Sequence, residues 1–364
     1  MPANKPPFDG EWVKLGELIS KAPIERCGDA KYPVYSMTMR DGIVEQAGRF
    51  KKAIASKDTS SYKVVKKNQL VVGFPIDEGV IYVQNHDAPG IMSPAYNVWN
   101  IDLGRVDPSY LEFALHSPRS MAYYADKMRG TTARRRTLTA DGLREMKILL
   151  PSADGQIRVV NTLDEVRSLI EGANGQIAML DTLVKSRFVE MFGDPISNSK
   201  GLETQPGSAL FKIVNGKTKP MDERYETGFP AYGGNGVSWY SQDSLVDFPT
   251  IVVGRVGRHC GNVHLVNDPC WVTDNAMYIK RFHSNELDLI YLDELMRVVG
   301  FNRYADRGDL WKITQQPFME FNYPMPPLAQ QQELAAFVRQ VDKSRFNLLK
   351  AYGSIIALFR VLFP

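Results

Sequence analysis

Two long segments of the chain carry apolar residues at alternating intervals of three and four positions. This periodicity predicts two amphipathic α-helices, each more than thirty residues long. A helix of about thirty-six residues is a rod of roughly 54 Å, and its apolar stripe needs a partner. We expect the two helices to pack on each other as an antiparallel coiled coil. The stripe positions are Leu163, Val166, Ile170, Ile177, Leu180 and Val184 in the first helix, and Leu334, Phe337, Val341, Leu348, Ile355 and Leu358 in the second.

The segments that precede these helices have a different pattern. Short runs of β-branched and aromatic residues, such as 70–74 and 250–254, alternate with turn signals. They predict strand-rich globular domains that also contain some helix, including one over 287–299. The fold class is therefore α+β. The predicted order is a first globular domain at 1–151, a long helix at 152–195, a second globular domain at 196–327 and a second long helix at 328–364.

The two halves of the chain repeat one another. The segments 95–98 and 110–112 return 181 positions later, and the segments 138–139 and 150–151 return 175 positions later. A period this long is not that of a solenoid, whose repeats have about 20 to 50 residues. It indicates two copies of one domain, which we expect a pseudo-two-fold axis to relate.

The composition indicates a folded globular protein but does not indicate its function. The chain has 364 residues, of which 44% are hydrophobic and 23% charged, and this excludes wholesale disorder. The formal net charge is only +3, so that DNA binding would require local basic patches, such as the lysines within 51–67. The three cysteines are expected to be reduced and packed. Neither a membrane span nor the apolar core of a signal peptide is visible, and we expect a cytoplasmic protein.

Two motifs carry a resemblance to a known family. Lys-Ser-Arg-Phe-Val-Glu-Met-Phe-Gly-Asp-Pro at 185–195 ends the first long helix, and Pro-Pro-Leu-Ala-Gln-Gln-Gln-Glu-Leu at 326–334 opens the second. Weaker matches lie at 62–65, 93–96 and 231–236. In this order, and over nearly the whole chain, they resemble the specificity (S) subunit of type I restriction-modification systems. The exit from the first domain, at 150–156, departs from the pattern that the second exit follows.

The resemblance implies a sequence-specific double-stranded DNA recognition subunit that is not itself an enzyme. In that family each globular unit is a target recognition domain that reads one half of a split site, and the helices form a spacer. Because the two domains of this chain differ in sequence, the expected target is bipartite and asymmetric. The implied partners are methyltransferase (M) subunits, two of them, and restriction/motor (R) subunits. S-adenosylmethionine would belong to the M subunit, and we expect no catalytic residue, metal or cofactor in this chain.

Side chains that can read base edges or bind phosphate occur in both domains. Arginine and lysine recognise guanine and phosphate, and asparagine recognises adenine. The first domain supplies a strand and turn, a lysine patch and an arginine run, whereas the second supplies a Lys-Thr-Lys turn, a glycine-rich loop and a basic turn after a strand. The predicted DNA-binding residues are Ser36, Thr38, Arg40, Lys51, Lys52, Arg134, Arg135 and Arg136 in the first domain, and Lys217, Lys219, Asn235, Arg255, Arg258, His259, Trp311 and Lys312 in the second.

Two alternative functions stay open on the residues alone. One is a self-sufficient DNA methyltransferase or nuclease, and the other is a protein-binding adaptor. Asp107-Pro108-Ser109-Tyr110 is similar to the Asp-Pro-Pro-Tyr motif of amino-methyltransferases, but its second copy at 288–291 has no proline. Asp107 is therefore interpreted as a helix N-cap with Pro108 in the first turn. Glu145-Met146-Lys147 has a spacing found in nucleases, but the second copy lacks the lysine.

Overall fold

The computed structural model describes residues 9–39, 41–49, 58–130 and 136–362, and the side chains of residues 48–49 and 354–362 lie outside this description. The chain divides into two compact units. The first contains residues 1–171 and 352–364, and the second contains residues 172–351.

The first unit is a strand-rich domain followed by the beginning of a long helix. Its strands are β1 (Glu11–Lys14), β2 (Ile19–Lys21), β3 (Tyr35–Thr38), β4 (Gly42–Glu45), β5 (Lys63–Val65), β6 (Gln69–Val72), β7 (Ile81–Val83), β8 (Gly90–Met92), β9 (Asn97–Ile101) and β10 (Lys147–Leu150). Its helices are α1 (Gln46–Arg49), α2 (Pro108–Leu115), α3 (Pro118–Lys127), α4 (Ala140–Glu145) and the first part of α5 (Ala153–Phe192).

The second unit begins within α5 and contains the other strand-rich domain. Its strands are β11 (Thr204–Pro206), β12 (Phe211–Asn215), β13 (Phe229–Gly233), β14 (Gly236–Ser241), β15 (Thr250–Gly254), β16 (Val263–Val266), β17 (Trp271–Val272), β18 (Ala276–Phe282) and β19 (Asn322–Pro324). Its helices are α6 (Gly207–Leu210), α7 (Leu289–Val299), α8 (Gln316–Glu320) and most of α9 (Leu328–Leu362).

The main sheet has the same strand order in both units. The order is β2-β9-β6-β7 in the first unit and β12-β18-β15-β16 in the second, with antiparallel neighbours. In each unit a separate ladder joins the first strand to the last, as β1 pairs with β10 and β11 pairs with β19. The last strand leads directly into a long helix. The fold is therefore the duplicated α+β fold that the sequence predicts.

Each unit has its own hydrophobic core between its main sheet and its helices. In the first unit, apolar residues of β6, β7 and β9 pack with α2 and α3, and Val159 and Leu163 join from the start of α5. In the second unit, β15 and β18 pack with α7, and Phe188 of α5 and Leu334 of α9 join that core. Each long helix thus begins or ends as part of a domain core, which fixes its apolar face by burial.

The helix that follows the main sheet is capped in the same way in both units. The Asp107 carboxylate accepts a hydrogen bond of 2.9 Å from the backbone N–H of Tyr110, and Pro108 lies in the first turn of α2. Asp288 caps α7 by accepting from Ile290 at 2.8 Å. The N-cap interpretation of Asp107 is confirmed. The predicted helix over 287–299 begins two residues later, since Asp288 has the extended backbone of a cap.

The end of α5 packs against α9 within the second unit. The Arg187 guanidinium donates to the Glu333 carboxylate at 2.8 Å, and Arg345 forms an ion pair with Asp181. Positions that rise along one helix fall along the other, so these segments are antiparallel. Val184 and Val341 are buried in one cluster beside these polar pairs.

The cysteines and the helices agree with a packed, globular chain. Cys27, Cys260 and Cys270 are buried free thiols. Over the residues that the structure describes, no helix is long and apolar enough to cross a membrane.

Candidate nucleic-acid interface

A polar cleft of about 440 Å³ opens on the second unit, near the ends of its strands. Its walls are the turn between β13 and β14, the turn that follows β15, and the segment just before β18. Its lining includes the side chains of Arg224, Asn235, Trp239, Arg258, His259 and Asn275.

Glycines let two turns of the cleft approach one another closely. A Cβ atom on Gly254 would lie 2.3 Å from the His259 carbonyl oxygen and 2.8 Å from the Cα of Gly234. Neither atom can move without moving the backbone, and thus only glycine fits at position 254. Because of this contact, the turn at 255–259 lies against the turn at 233–236. Arg258, His259 and Asn235 are consequently presented together, and all of them are exposed.

Two arginines shape the cleft through bonds to backbone carbonyls. The Arg255 guanidinium donates to the Asp274 carbonyl at 2.9 Å, which joins the turn after β15 to the segment before β18. Arg224 donates to the Lys219 carbonyl at 3.1 Å, and its guanidinium lies 5.3 Å from the centre of the Trp239 ring. A guanidinium at that distance is attracted to the ring face. Arg255 therefore helps to hold the cleft together, and the Arg258 side chain is exposed.

Lys219 is a largely buried member of the cleft lining that already has partners within the domain. Its side chain is only 7% exposed, and its ammonium lies 3.1 Å from carboxylate oxygens of both Glu223 and Asp243. The same ammonium stands 4.6 Å above the ring of Trp271. Lys219 lines the cleft with its charge balanced by these two carboxylates, and its contact with DNA stays a prediction.

The remaining predicted residues of the second domain lie on its surface. Lys217 is exposed, and its carbonyl accepts from the Trp271 indole at 3.0 Å. Lys312 pairs with Asp306 at 3.5 Å, and Arg307 stacks on Trp311 at 4.8 Å. The Trp311 carbonyl accepts from the N–H of Gly257 at 2.8 Å, which joins this segment to the turn after β15.

In the first domain, the described candidates make local hydrogen bonds. The Ser36 hydroxyl accepts from the Gln46 amide at 2.6 Å, and Thr38 accepts from the N–H of Asp41 at 2.9 Å within the β3–β4 turn. Arg136 is paired with the carboxylates of Asp77 and Glu78. These ion pairs hold the loop that carries Arg136, and its contact with DNA stays a prediction. The predicted residues Arg40, Lys51, Lys52, Arg134 and Arg135 lie outside the described residues.

The sequence reasoning missed several side chains of the cleft. Arg224, Ser238, Trp239 and Asn275 line it, although they belong to three separate segments of the chain. Arg224 and Trp239 form no local sequence motif, because their contact joins the segment before β13 to β14. Ser238 lies two residues after the glycine-rich turn, where the pairing of β13 with β14 is irregular, and both Val237 and Ser238 are exposed.

The predicted helix-pairing residues have different environments along the helices. Leu163 is buried against its own domain, Val184, Leu334 and Val341 are buried in the second core, and Leu180 and Phe337 pack at its edge. Val166, Ile170, Ile177 and Leu348 are of intermediate exposure. The side chains of Ile355 and Leu358 are outside the description.

The donors of the cleft suit recognition of nucleic acid. Guanidinium and side-chain amide groups can bond base edges or phosphate oxygens, and the Trp239 ring offers a flat apolar surface. Burial lowers the pKa of His264, whose ring nitrogen lies 3.3 Å from the Gly234 carbonyl, so this imidazole is held neutral beneath the glycine turn. The cleft therefore offers directed donors rather than a strong net charge.

The known proteins that this chain is similar to include specificity subunits of type I restriction-modification systems. The Type I restriction enzyme EcoprrI specificity subunit of Escherichia coli is 23% identical over 114 residues, which cover 31% of this chain and 28% of that protein. The S subunit of a type I restriction-modification system from M. genitalium has the same fold, with a TM-score of 0.55 at 16% identity and 99% of both chains covered.

A second solved structure extends this likeness. It concerns complex assembly and conformational transition of the type I R-M system. One of its chains gives a TM-score of 0.54 at 17% identity, and the match covers 99% of this chain and 98% of that one. No protein-family model matches the chain. The resemblance to type I specificity subunits is thus confirmed, and in fold it extends over the whole chain.

Proposed function

We propose that this chain is the non-catalytic DNA-recognition subunit of a type I restriction-modification complex. The observation that carries the proposal is the duplication. A domain with one strand order is built twice, and each copy leads through its last strand into a long helix. Two domains of similar fold are suited to bind two sites on duplex DNA, because the geometry of the duplex repeats about every 34 Å. Since their surface residues differ, each domain reads its own half of a bipartite, asymmetric target.

In the second domain, the cleft is the proposed reading site. Arg258 and Asn235 are among its exposed donors, and Lys217 and Lys312 are basic residues elsewhere on the same domain's surface. Direct bonds to base edges would come from the first pair, and bonds to phosphates would set the register. In the first domain, the corresponding role falls to the basic segments around 51–67 and 129–136.

The long helices are the proposed docking surface for methyltransferase subunits. Beside the buried seam of the second unit, α5 exposes Met179 and Leu183, and α9 exposes Phe346 and Leu349. Large apolar side chains left in water favour a protein partner. The M subunits, two per complex, would bring S-adenosylmethionine and turn the target adenine out of the duplex. R subunits would join that assembly in the cytoplasm.

The decisive experiment measures DNA binding and methylation by the same preparation. The purified chain is titrated with a labelled duplex pool at about 50 and 200 mM salt, between which binding through several phosphates weakens by orders of magnitude. Methyl transfer from S-adenosylmethionine is measured with and without the co-expressed M subunit. We expect salt-sensitive binding by the chain and methylation only with the partner. Methylation by the chain alone would identify an enzyme, and salt-independent binding would favour a protein adaptor.

A further inference from the structure

A buried glutamine joins each domain to the first turn of the long helix that follows it. Gln156 is the fourth residue of α5 and 3% exposed, and Gln331 is the fourth residue of α9 and fully buried. We call each glutamine, with the backbone groups it bonds, a glutamine junction. Each junction lies entirely within its own unit.

The first junction connects three stretches of backbone. The side-chain oxygen of Gln156 accepts from the N–H of Asp107 at 2.7 Å. Its amide nitrogen donates to the carbonyls of Arg105 at 3.1 Å and Pro151 at 3.0 Å. The segment before α2, the end of β10 and the start of α5 are thereby held by one planar group.

The second junction repeats these bonds atom for atom. The Gln331 oxygen accepts from the N–H of Asp288 at 2.9 Å, and its nitrogen donates to the carbonyls of Glu286 at 3.0 Å and Pro326 at 2.9 Å. Glu286 and Asp288 lie 181 positions after Arg105 and Asp107. Pro326 and Gln331 lie 175 positions after Pro151 and Gln156. Two copies that have diverged elsewhere retain one geometry at this point, even though the sequence around Gln156 departs from that around Gln331.

The glutamine junction restricts the angle between the long helix and its domain. An amide is planar and its donor and acceptor directions are set, so bonds on both of its ends restrict tilt between helix and domain. Leaving these buried groups unpaired is costly, and the junction therefore has one preferred arrangement. A domain of this size is about 30 Å across. A tilt of about 10° would displace its far side by about 5 Å, more than the base-pair rise of about 3.4 Å.

We propose that Gln156 and Gln331 are positioning residues, each of which holds its domain at one angle on its helix so that the spacing between half-sites is read to a single base pair. This inference rests on the proposed DNA recognition. Neither glutamine is assigned any contact with DNA. Their substitution should change the tolerated spacing and leave the recognised letters of both half-sites unchanged.

The experiment selects bound duplexes from a random pool with the full chain and reads the enriched sequences. The variants are Gln331→Met, which keeps the length but loses the amide, and Gln332→Met, an exposed neighbour on the same helix, as the matched control. Gln156→Met tests the other domain. We expect each junction variant to raise the share of spacings one base pair longer or shorter by about tenfold, with unchanged half-site letters. Gln332→Met should keep the parental spacing.

The outcomes separate this inference from the proposed function. If the parental chain enriches no bipartite motif, the proposed function fails. If that motif appears and both junction variants keep its single spacing, or if they lose the letters of a half-site instead, the positioning role is wrong. Should Gln331→Met not fold, Gln156→Met decides the question, because it removes the same amide from the other junction. A parental spacing in that variant would equally overturn the inference.

Discussion

Tyr110 and Tyr291 hold the same place in the two domains and make the same hydrogen bond. The Tyr110 hydroxyl donates to the Leu149 carbonyl at 2.6 Å, and the Tyr291 hydroxyl donates to the Pro324 carbonyl at 2.7 Å. Each bond joins the first turns of the helix after the main sheet to the last strand before a long helix. Both rings are buried, and this burial raises the pKa of both hydroxyls. Both hydroxyls are therefore protonated donors at neutral pH.

Removing either hydroxyl should destabilise its own domain by a similar amount. Tyr110→Phe and Tyr291→Phe each leave a buried carbonyl without its donor, and we expect a loss of about 1–2 kcal/mol in the free energy of unfolding. Because the sites lie in separate domains, the double variant should show the sum. Urea denaturation measures these losses. Tyr225→Phe, at a ring that is 43% exposed, is the control and should change little. A loss confined to one of the two buried sites would contradict their equivalence.

The parts of the fold that depend on local pattern could be predicted from the sequence. The stripe from Leu163 to Val184 predicted α5, and the repeated segments predicted the duplication before any strand was located. Asp107 was identified as a cap because Pro108 follows it, and this pairing is characteristic of a helix start. A cap or an apolar stripe can be recognised from residues within about one helical turn of each other. A duplication can be recognised by comparing its two copies.

Contacts between distant segments could not be predicted in the same way. Lys219 looked like a surface lysine in a polar turn, and only the fold brings Asp243 and Trp271 to it. The same is true of Arg224 and Trp239 in the cleft. A lysine that is solvated and one that is buried between carboxylates have the same local sequence, so their difference appears only once the strands are paired.

The exposed arginine of the cleft should contribute directly to DNA binding. Arg258→Ala removes a cationic donor that has no assigned structural bond, so the fold should be retained. We expect the affinity for the selected target to fall about tenfold and, if the contact is to phosphate, the salt slope to fall by about one. Fluorescence anisotropy across a salt series measures both quantities. Arg281→Ala, at an exposed site on β18 outside the cleft, is the matched control. Equal weakening by the two variants would argue against the cleft as the reading site.

A second polar cavity of the same unit contains an unusual group of carboxylates. Its walls come from α5, α7, α9 and β16, and its charged residues are Asp181, Lys185, Asp293, Glu294, Arg297, Asp342 and Arg345. The Glu294 side chain is 14% exposed. Burial, reinforced by the neighbouring Asp293 charge, raises its pKa to about 7, and burial also raises the pKa of Asp293.

The free energy of unfolding of the second unit should therefore fall as pH rises from about 4.5 to about 7 and level off above that. The raised pKa means that the folded state prefers protonated Glu294, whose ordinary pKa is 4.5. The stabilisation by protonated Glu294 is complete below pH 4.5 and is lost by about pH 8. This loss lowers the free energy of unfolding by roughly 3 kcal/mol. Glu294→Gln keeps a neutral group of the same shape, and it should match the parent at about pH 4 and exceed it at about pH 8. Urea denaturation across this range tests the prediction, with the exposed Glu203→Gln as control. An unchanged pH slope in Glu294→Gln would refute it.

Lengthening α5 should change the distance between half-sites without changing their letters. Four helical residues inserted after Ala173 add about 6 Å along the axis and a net turn of about 40°. Because this site lies outside both glutamine junctions and outside the cleft, each domain should still recognise its own sequence. The gap in the preferred target should therefore grow by one or two base pairs of about 3.4 Å each. Sequencing of selected duplexes reads the gap, and the same four residues added after Pro364 control for the insertion itself. A target with the parental gap would mean that α5 does not set the distance between the readers, whereas a change in letters would mean that the insertion had disturbed a domain.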